Sequence, residues 1–288
     1  MPSVTYKRKT IGVNWANVGI YVLFVLIFLV FIGPILWMIS LSLKTPADIY
    51  SYPPKLIPHP FAFVNYLTVI DQSRIPLYLW NSVKITFFAI VGNLLVTVPA
   101  VFAFSRFRFR FKEQALFGIL MFQMISQLII AIPLYRYFVK LGMLNNHFGL
   151  ILIYITIQIP FTVWLLKGFF DSIPMELDES AIIDGCTALQ VLLRIVLPLA
   201  MPGIAAALVF NTVNAWGQFI VPFIFLNQDA TYPISVGILH YQQAQTEGEV
   251  TTHLLAVGSV IALLPAVAII MTLQRFIVRV LTAGAIKG

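Results

Sequence analysis

The sequence is short of the residues that carry covalent chemistry and cross-links. It holds a single cysteine, Cys186, in 288 residues, so neither an internal disulfide nor a cysteine metal cluster can form. Its four histidines lie far apart, without the spacing of metal ligands (His59, His147, His240 and His253). The sequence contains no glycine-rich phosphate loop and no HExxH or GxSxG motif. These absences argue against an enzyme and against a subunit that binds nucleotide or metal itself.

Charged residues are also scarce, and their scarcity excludes a soluble globular protein. They make up 10% of the chain against 60% hydrophobic residues, and the mean hydropathy is +0.92. The net charge of +7 does not indicate nucleic-acid binding, because the basic residues lie between apolar segments rather than on one soluble face. The composition predicts an all-α protein that crosses a lipid bilayer several times.

Six long apolar runs follow one another, and each predicts a membrane-spanning helix. The first, residues 17–43, is too long for the core of a signal peptide and lacks a small-residue cleavage site. The other five runs are 79–104, 116–135, 148–169, 199–226 and 253–276. Residues 44–77 contain six prolines and predict an extended, irregular external loop. We expect one membrane domain whose core covers residues 78–280 and includes a polar loop at 171–198.

The distribution of basic residues predicts the orientation of these spans. Twelve of the 18 Lys and Arg residues fall on one side if residues 1–16, the loops after the second and fourth spans with the adjoining Lys167, and the C-terminal segment from Arg275 to Lys287 share it. Loops with an excess of Lys and Arg lie in the cytoplasm. Both termini and the loop at 171–198 are therefore predicted to be cytoplasmic.

Basic and aromatic residues alternate from Arg106 to Lys112, directly after the second span. Alternation of this kind suits a surface on which nucleic-acid bases stack. Because the segment follows a membrane span, we interpret it instead as a cytoplasmic anchor, with rings at the interface and cations near lipid phosphates.

The polar loop at 171–198 is strongly acidic. Five of the eleven acidic residues fall within 14 positions (Asp171, Glu176, Asp178, Glu179 and Asp184). Gly185 suits a left-handed cap at the end of one helix, and Thr187 with Gln190 has the spacing of a capping box that begins another. The loop therefore predicts a helix-turn-helix, which must face water or a partner protein.

The same loop resembles a known motif. Residues 179–198 have the spacing E-S-A-x3-G-x9-I-x-L-P, which is similar to the EAA loop of binding-protein-dependent ABC importer permeases. Ser180 stands where that family usually has alanine. The positions that carry the resemblance are Glu176, Leu177, Glu179, Ser180, Ala181, Asp184, Gly185, Ile195, Leu197 and Pro198.

Segments outside the loop resemble the carbohydrate branch of that family, in particular the maltose-type permeases. They are residues 104–109, 141–150, 214–222 and 278–288, although Val280 stands where glycine is common. This likeness implies a sugar or oligosaccharide as cargo. A polyamine, an amino acid or an oxyanion remains the alternative within the same importer mechanism.

The resemblance to these type I importers also implies an assembly. It consists of a second homologous permease, giving a heterodimer, two cytoplasmic ATPase subunits and an extracytoplasmic binding protein, in a bacterial or archaeal inner membrane. ATP and Mg²⁺ would bind the ATPases and not this chain. By the family pattern Glu179 would pair with a basic group of the ATPase, Ala181 would allow a close approach, and Gly185 would permit the turn.

Polar residues within the predicted spans are candidates for the substrate path, because such residues usually face a bundle interior or a water-filled cavity. They are Asn93, Gln123, Ser126, Gln127, Asn211, Asn214, Trp216 and Gln218. Trp216 is a candidate to stack on a sugar ring. The alternative for each is a hydrogen bond between helices or a subunit contact.

Two other classes of membrane protein fit the sequence less well. An ion-coupled secondary transporter needs charges within its spans and often carries an inverted repeat, yet none of the six runs contains Asp or Glu and no repeat is clear. A membrane-embedded enzyme needs paired carboxylates, metal ligands or a nucleophile with its base, and the spans provide no such set.

Overall fold

The computed structural model describes residues 15–243 and 252–285, which form helices, turns and connecting loops. Most of the predicted cytoplasmic N-terminus and the end of the predicted tail lie outside these ranges. In the described part of the chain the helices are α1 Trp15–Ser42, α2 Pro46–Ile49, α3 Val64–Gln72, α4 Ile75–Arg106, α5 Lys112–Phe122, α6 Gln127–Lys140, α7 His147–Asp171, α8 Glu176–Ile183, α9 Ala188–Val191, α10 Leu197–Leu199, α11 Met201–Gly217, α12 Ile220–Phe225, α13 Ile234–Gln243 and α14 Thr252–Ala285.

The predicted all-α membrane fold is confirmed, with two of its spans interrupted. Within the described residues, α1, α4, α7 and α14 are each long and apolar enough to cross a membrane. Two further pairs pass the same test but are bent, α5 with α6 by 92° and the α9–α10 segment with α11 by 76°. The number of spans is therefore four, or six if each bent pair counts as one.

The third and fifth predicted spans are not the continuous helices that their hydropathy suggested. The third breaks between α5 and α6, at residues 123–126, and the fifth breaks between α11 and α12, at residues 218–219. No glycine or proline lies at 123–126. The interruption is therefore not marked in the sequence by a glycine or a proline.

The proline-rich segment after α1 is more ordered than predicted, because it contains α3. Asn65, at the start of α3, is buried and donates hydrogen bonds to the backbone oxygens of Ser42 and Lys44, both at 2.9 Å. A hydrogen bond from Lys55 at 2.6 Å, with a second from Thr45, lowers the pKa of Asp48. These polar contacts hold the segment against the end of α1, so the expectation of an irregular loop was wrong for this part.

Two hydrophobic clusters make up the buried core of the described residues. The first surrounds the beginnings of α4 and α7 and includes α13. The second lies where α4 and α7 end and where α11 begins, and it includes Ala181 of α8 and Val191 of α9. A Cβ added to Gly203 would lie 2.4 Å from the ring of Phe169, so α11 packs closely on α7 at this point. The acidic loop is therefore built into the second cluster.

The first span contributes little to this core. The most hydrophobic part of α1, within Gly19–Ser42, is not buried by the rest of the chain. The helix runs beside α14. Its side chains are left for lipid or another subunit.

Candidate functional site

The acidic loop turns at Gly185, as predicted. Gly185 has φ +85°, in the left-handed region that favours glycine. Its N–H donates to the carbonyl of Ile182 at 3.0 Å, and the N–H of Cys186 donates to the carbonyl of Ala181 at 2.9 Å. These two bonds form a Schellman motif, which ends α8 and satisfies two of its last carbonyls.

The second helix of the loop begins with the predicted capping box. The N–H of Thr187 donates to Oε1 of Gln190 at 2.8 Å, and the N–H of Gln190 donates to Oγ1 of Thr187 at 3.4 Å. The helix continues through a π-helical turn at Leu192–Val196 and through α10. Among the predicted motif positions in this part, Ile195 and Leu197 are half-buried and Pro198 is exposed.

The two sides of α8 differ in chemistry. Ala181 is buried in the second hydrophobic cluster of this chain. The close approach that its small side chain allows is therefore to the protein's own bundle, whereas the family pattern had suggested an approach to a partner. The outer side of the loop exposes apolar and acidic residues together; we call it the loop surface and define it as Glu176, Leu177, Glu179, Ile182, Ile183, Asp184 and Leu189.

Ser180, the departure from the family pattern, is exposed, and its hydroxyl donates to the carbonyl of Glu176 at 2.8 Å. Serine hydroxyls commonly bond to the backbone one turn earlier in a helix. The substitution of serine for alanine is therefore accommodated within α8 without disturbing the buried contact of Ala181.

Beneath the loop surface lies an ion pair that sequence reasoning missed. Nε of Arg106, the last residue of α4, contacts Oδ2 of Asp178, and the two side chains are only 8% and 11% exposed. Nη1 and Nη2 of Arg106 donate to the backbone oxygens of Phe170 at 3.2 Å and Ile173 at 3.1 Å. The one signal available in the sequence was that Asp178 and Ala181 lie three residues apart and so share a helix face.

This contact corrects the interpretation of the basic and aromatic run at its first position. Arg106 points into the protein instead of toward lipid phosphates. Arg108, Phe109 and Arg110 are exposed, as an interfacial anchor requires. For those residues the anchoring role stays a prediction.

Four of the eight predicted path residues come together at the helix breaks. Gln123 and Gln127 flank the break between α5 and α6, while Asn214 and Gln218 lie at the end of α11. All four line a cavity of about 50 Å³, and Nε2 of Gln218 donates to Oε1 of Gln127 at 3.1 Å. We call this the amide cavity. Irregular backbone at membrane depth is tolerated where it is buried in protein or lines a water-filled cavity.

Gln158 of α7 also lines the amide cavity, although it is not among the predicted path residues. Its side chain is buried, and Oε1 has no hydrogen-bond partner among the described residues. Buried polar atoms normally have a partner, so an orphaned acceptor on a residue that lines a cavity indicates a place for a donor that the chain does not supply. Tyr154, Phe161 and Phe210 complete the polar and aromatic lining.

Two other predicted path residues hold helices together. Asn211 of α11 donates from Nδ2 to Oδ1 of Asn93 of α4 at 3.0 Å, and it accepts from Oγ1 of Thr162 of α7 at 3.1 Å. Asn93 donates to the carbonyl of Ile155 at 3.3 Å. Both asparagines are fully buried. The structure therefore places them in an interhelical clasp, the alternative considered for polar residues in spans.

The remaining two predicted path residues lie elsewhere. Trp216 donates from Nε1 to the carbonyl of Ala262 in α14 at 3.1 Å, and its ring packs against the first hydrophobic cluster. Ser126 caps the N-terminus of α6 with its backbone and is exposed. The structure does not bring either side chain to the amide cavity.

A second cavity, apolar and about 400 Å³ in volume, opens between α6 and α7 beside the first. Gln123 and Gln127 line both cavities.

Among the described residues no three His, Cys, Asp or Glu side chains are arranged to hold a metal ion.

Residues 95–283 match the family described as binding-protein-dependent transport system inner membrane component. The match covers more than half of the chain, and the chain belongs to this family. It is a multi-pass membrane permease subunit of a binding-protein-dependent transport system.

Three similar proteins cover nearly its whole length. The diacetylchitobiose uptake system permease protein DasC of Streptomyces coelicolor is 32% identical and covers 98% of this chain and 100% of the relative. The galactooligosaccharides transport system permease protein GanQ of Bacillus subtilis is 34% identical over 93% of this chain and 94% of the relative. The maltose/maltodextrin transport system permease protein MalG of Photorhabdus laumondii is 30% identical over 96% and 97%.

The fold itself is found in a solved structure. A chain from the crystal structure of a bacterial ABC transporter involved in the import of the acidic polysaccharide alginate aligns with TM-score 0.81 and 21% identity, covering 95% of this chain and 99% of that chain. At this identity the likeness supports the shared fold alone.

The geometry of Gly185 leads to a prediction about the turn. A Cβ added there meets no atom within 4 Å, so the cost of Gly185→Val comes from its positive φ. We expect this variant to distort the turn and to raise the rate at which maleimide labels Cys186, the only cysteine in the chain. Gly185→Asn, which tolerates the left-handed conformation, should label at nearly the original rate.

Gly168→Val provides a control, because Gly168 is helical and also has open space around it. It should leave the labelling of Cys186 unchanged. Equal rates for Gly185→Val and the unmodified protein would show that the positive φ does not maintain the turn.

Proposed function

We propose that this permease imports a sugar or oligosaccharide with energy from ATP that separate subunits hydrolyse. The relatives support the cargo class, since three that cover most of the chain are named for diacetylchitobiose, galactooligosaccharides and maltodextrin. The observation that carries the coupling is the loop surface, which exposes Glu176, Leu177, Glu179 and Asp184 of the EAA-like loop on a helix-turn-helix. An importer of the same kind for a polyamine, amino acid or oxyanion is the alternative.

The proposed assembly contains a second homologous permease, two cytoplasmic ATPase subunits and an extracytoplasmic binding protein. ATP and Mg²⁺ bind the ATPases, because this sequence contains no nucleotide-binding motif. The exposed length of α1 offers surface to lipid or to the second permease. The excess of Lys and Arg in the loops on one side of the membrane supports cytoplasmic termini and a cytoplasmic loop surface. The loop surface then lies on the side where ATP is available.

The loop surface suits a protein partner better than water. Leu177, Ile182 and Ile183 are 43%, 59% and 85% exposed on a helix of eight residues, which is a high density of apolar surface for a solvated loop. Glu179 is exposed beside them. An apolar centre with charges around it is the usual anatomy of a protein interface, and the acidic residues favour a basic partner.

Docking of this kind couples nucleotide binding to transport by rigid-body movement. Ala181 packs the inner side of α8 into the second hydrophobic cluster. When the ATPases close, the loop is pulled toward the other permease and carries the ends of α4 and α7 with it. The spans then rock between inward-facing and outward-facing arrangements.

The amide cavity supports a place on the substrate path. Gln123, Gln127, Gln158, Asn214 and Gln218 provide donors and acceptors that match sugar hydroxyl groups. Its volume of about 50 Å³ holds little more than water. The path is therefore closed at this level, and it opens when the α5–α6 and α11–α12 breaks separate.

Transport in vesicles tests the proposal directly. The complex that co-purifies with this chain would be reconstituted with its binding protein, and uptake of labelled di- and trisaccharides measured. We expect uptake that requires both ATP and the binding protein. Uptake driven by an ion gradient alone would overturn the ATP-driven importer mechanism. ATP-dependent uptake of only a polyamine, amino acid or oxyanion would overturn the proposal that the cargo is a sugar.

The loop surface leads to a prediction for Glu179→Lys. The variant should insert and fold normally, because Glu179 is exposed. We expect ATP-driven uptake to fall by at least about tenfold, because like charges placed across an interface cost several kcal/mol. Glu113→Lys makes the same charge change at an exposed position on α5 and should transport normally. Wild-type uptake by Glu179→Lys would count against docking through this residue.

The orphaned oxygen of Gln158 leads to a prediction that separates substrate contact from packing. Gln158→Leu removes a buried polar group without a partner, so thermal stability should stay the same or rise. Uptake should fall about tenfold, since one hydrogen bond to substrate is worth roughly 1.4 kcal/mol. Asn211→Leu, which breaks the clasp, should instead lower stability. Unchanged uptake by Gln158→Leu would remove Gln158 from the path.

A further inference from the structure

Arg106 lies where three helices meet, and its guanidinium group is used on two sides. Nε contacts Asp178 of α8, while Nη1 and Nη2 donate to the carbonyls of Phe170 and Ile173 at the end of α7. We propose that Arg106 and Asp178 are positioning residues that fix α8 to the end of α4, so that movement of the loop reaches the spans. This inference rests on the proposed function, in which α8 docks on an ATPase.

The contacts on the α7 side make Arg106 a rigid support. Arg106 donates to the carbonyl of Phe170, in the last turn of α7, at 3.2 Å and to the carbonyl of Ile173, two residues beyond α7, at 3.1 Å. The two bonds hold its planar guanidinium group in one orientation. The neighbouring Ser105 adds a second link, because its hydroxyl donates to Oδ1 of Asp171 at 2.7 Å. The end of α4 is therefore joined to the end of α7 before α8 is attached.

The contact on the α8 side is shielded from water. The side chains of Arg106 and Asp178 are only 8% and 11% exposed. Apart from the Arg106 contact, the carboxylate oxygens of Asp178 have no hydrogen-bond partner among the described residues. Asp171, the nearest other acidic group on α7, has its own ion pair with Lys167. A buried charge without its partner is strongly unfavourable, so each member of the Arg106–Asp178 pair depends on the other.

The position of this pair explains why it matters for transmission. Residues 172–175 connect α7 to α8, and Gly185 turns the chain at the other end of α8. A helix of eight residues held only through such connections can tilt independently of the spans. Asp178 and Ala181 lie on the same inner face, and together they attach that face to the bundle by charge and by apolar packing. A pull on the outer face is then transferred to α4 and α7.

The first test measures the orientation of α8 in the full chain, in lipid nanodiscs. Spin labels at Ile183→Cys on α8 and Leu95→Cys on α4, both exposed positions, would be placed in a Cys186→Ser background. We expect one narrow distance distribution. Asp178→Asn preserves the shape of the side chain and the α7 contacts of Arg106, and it should broaden the distribution. Arg108→Gln, which removes an exposed charge next to the site, should not.

The exchanged pair provides a second variant. Arg106→Asp combined with Asp178→Arg restores an ion pair between the two positions but loses the bonds from residue 106 to the carbonyls of Phe170 and Ile173, so its distribution should be narrower than that of Arg106→Asp alone. A distribution unchanged by Asp178→Asn would overturn the proposal.

The second test measures transport per ATP hydrolysed in the reconstituted complex. Asp178→Asn should lower this ratio severalfold while hydrolysis continues, and the exchanged pair should recover part of it. A purely structural role would instead reduce the amount of assembled complex and leave the ratio of the surviving complex unchanged, which would overturn the proposal. If the unmodified complex shows no ATP-dependent uptake, the proposed function fails, and the distance measurement still decides whether the pair orients α8.

Discussion

Polar groups that are out of reach of water must find partners within the protein, and the rest of this structure depends on that constraint. Only 10% of the residues are charged, and few charged side chains are buried among the described residues. Arg106 shows the constraint most clearly, because one guanidinium satisfies two carbonyls at the end of α7 and one carboxylate of α8. The acidic loop is consequently a part of the bundle, and its outer residues are exposed.

The same constraint shapes the middle of the bundle. Asn93, Thr162 and Asn211 satisfy one another and hold α4, α7 and α11 in contact. The amides around the helix breaks are less completely satisfied, since Gln158 retains an acceptor without a partner among the described residues. A fully bonded polar cluster stabilises helix packing, whereas an incompletely bonded one at a cavity is suited to a polar ligand. Two groups of polar residues with similar composition therefore differ in how completely they are hydrogen-bonded.

The predictions that succeeded concern local interactions. The turn at Gly185 and the capping box of Thr187 and Gln190 depend on residues within a few positions of one another, so sequence spacing is sufficient to identify them. The predictions that failed concern orientation. Alternating residues from Arg106 to Lys112 do not reveal that the first cation points inward, and hydropathy does not reveal that the helix is interrupted after Phe122. The inward direction of Arg106 depends on a partner distant in the chain, Asp178.

By itself the sequence determined that this is an all-α membrane protein with an acidic helix-turn-helix of EAA-like spacing, because hydropathy, capping and turn chemistry are short-range properties. Tertiary structure alone decided which side of α8 is buried, which polar residues clasp helices and which line a cavity. Ala181 and Leu177 both lie on α8, yet only Ala181 is covered by the bundle. Burial and hydrogen-bond satisfaction depend on where distant segments meet, and no local spacing specifies that.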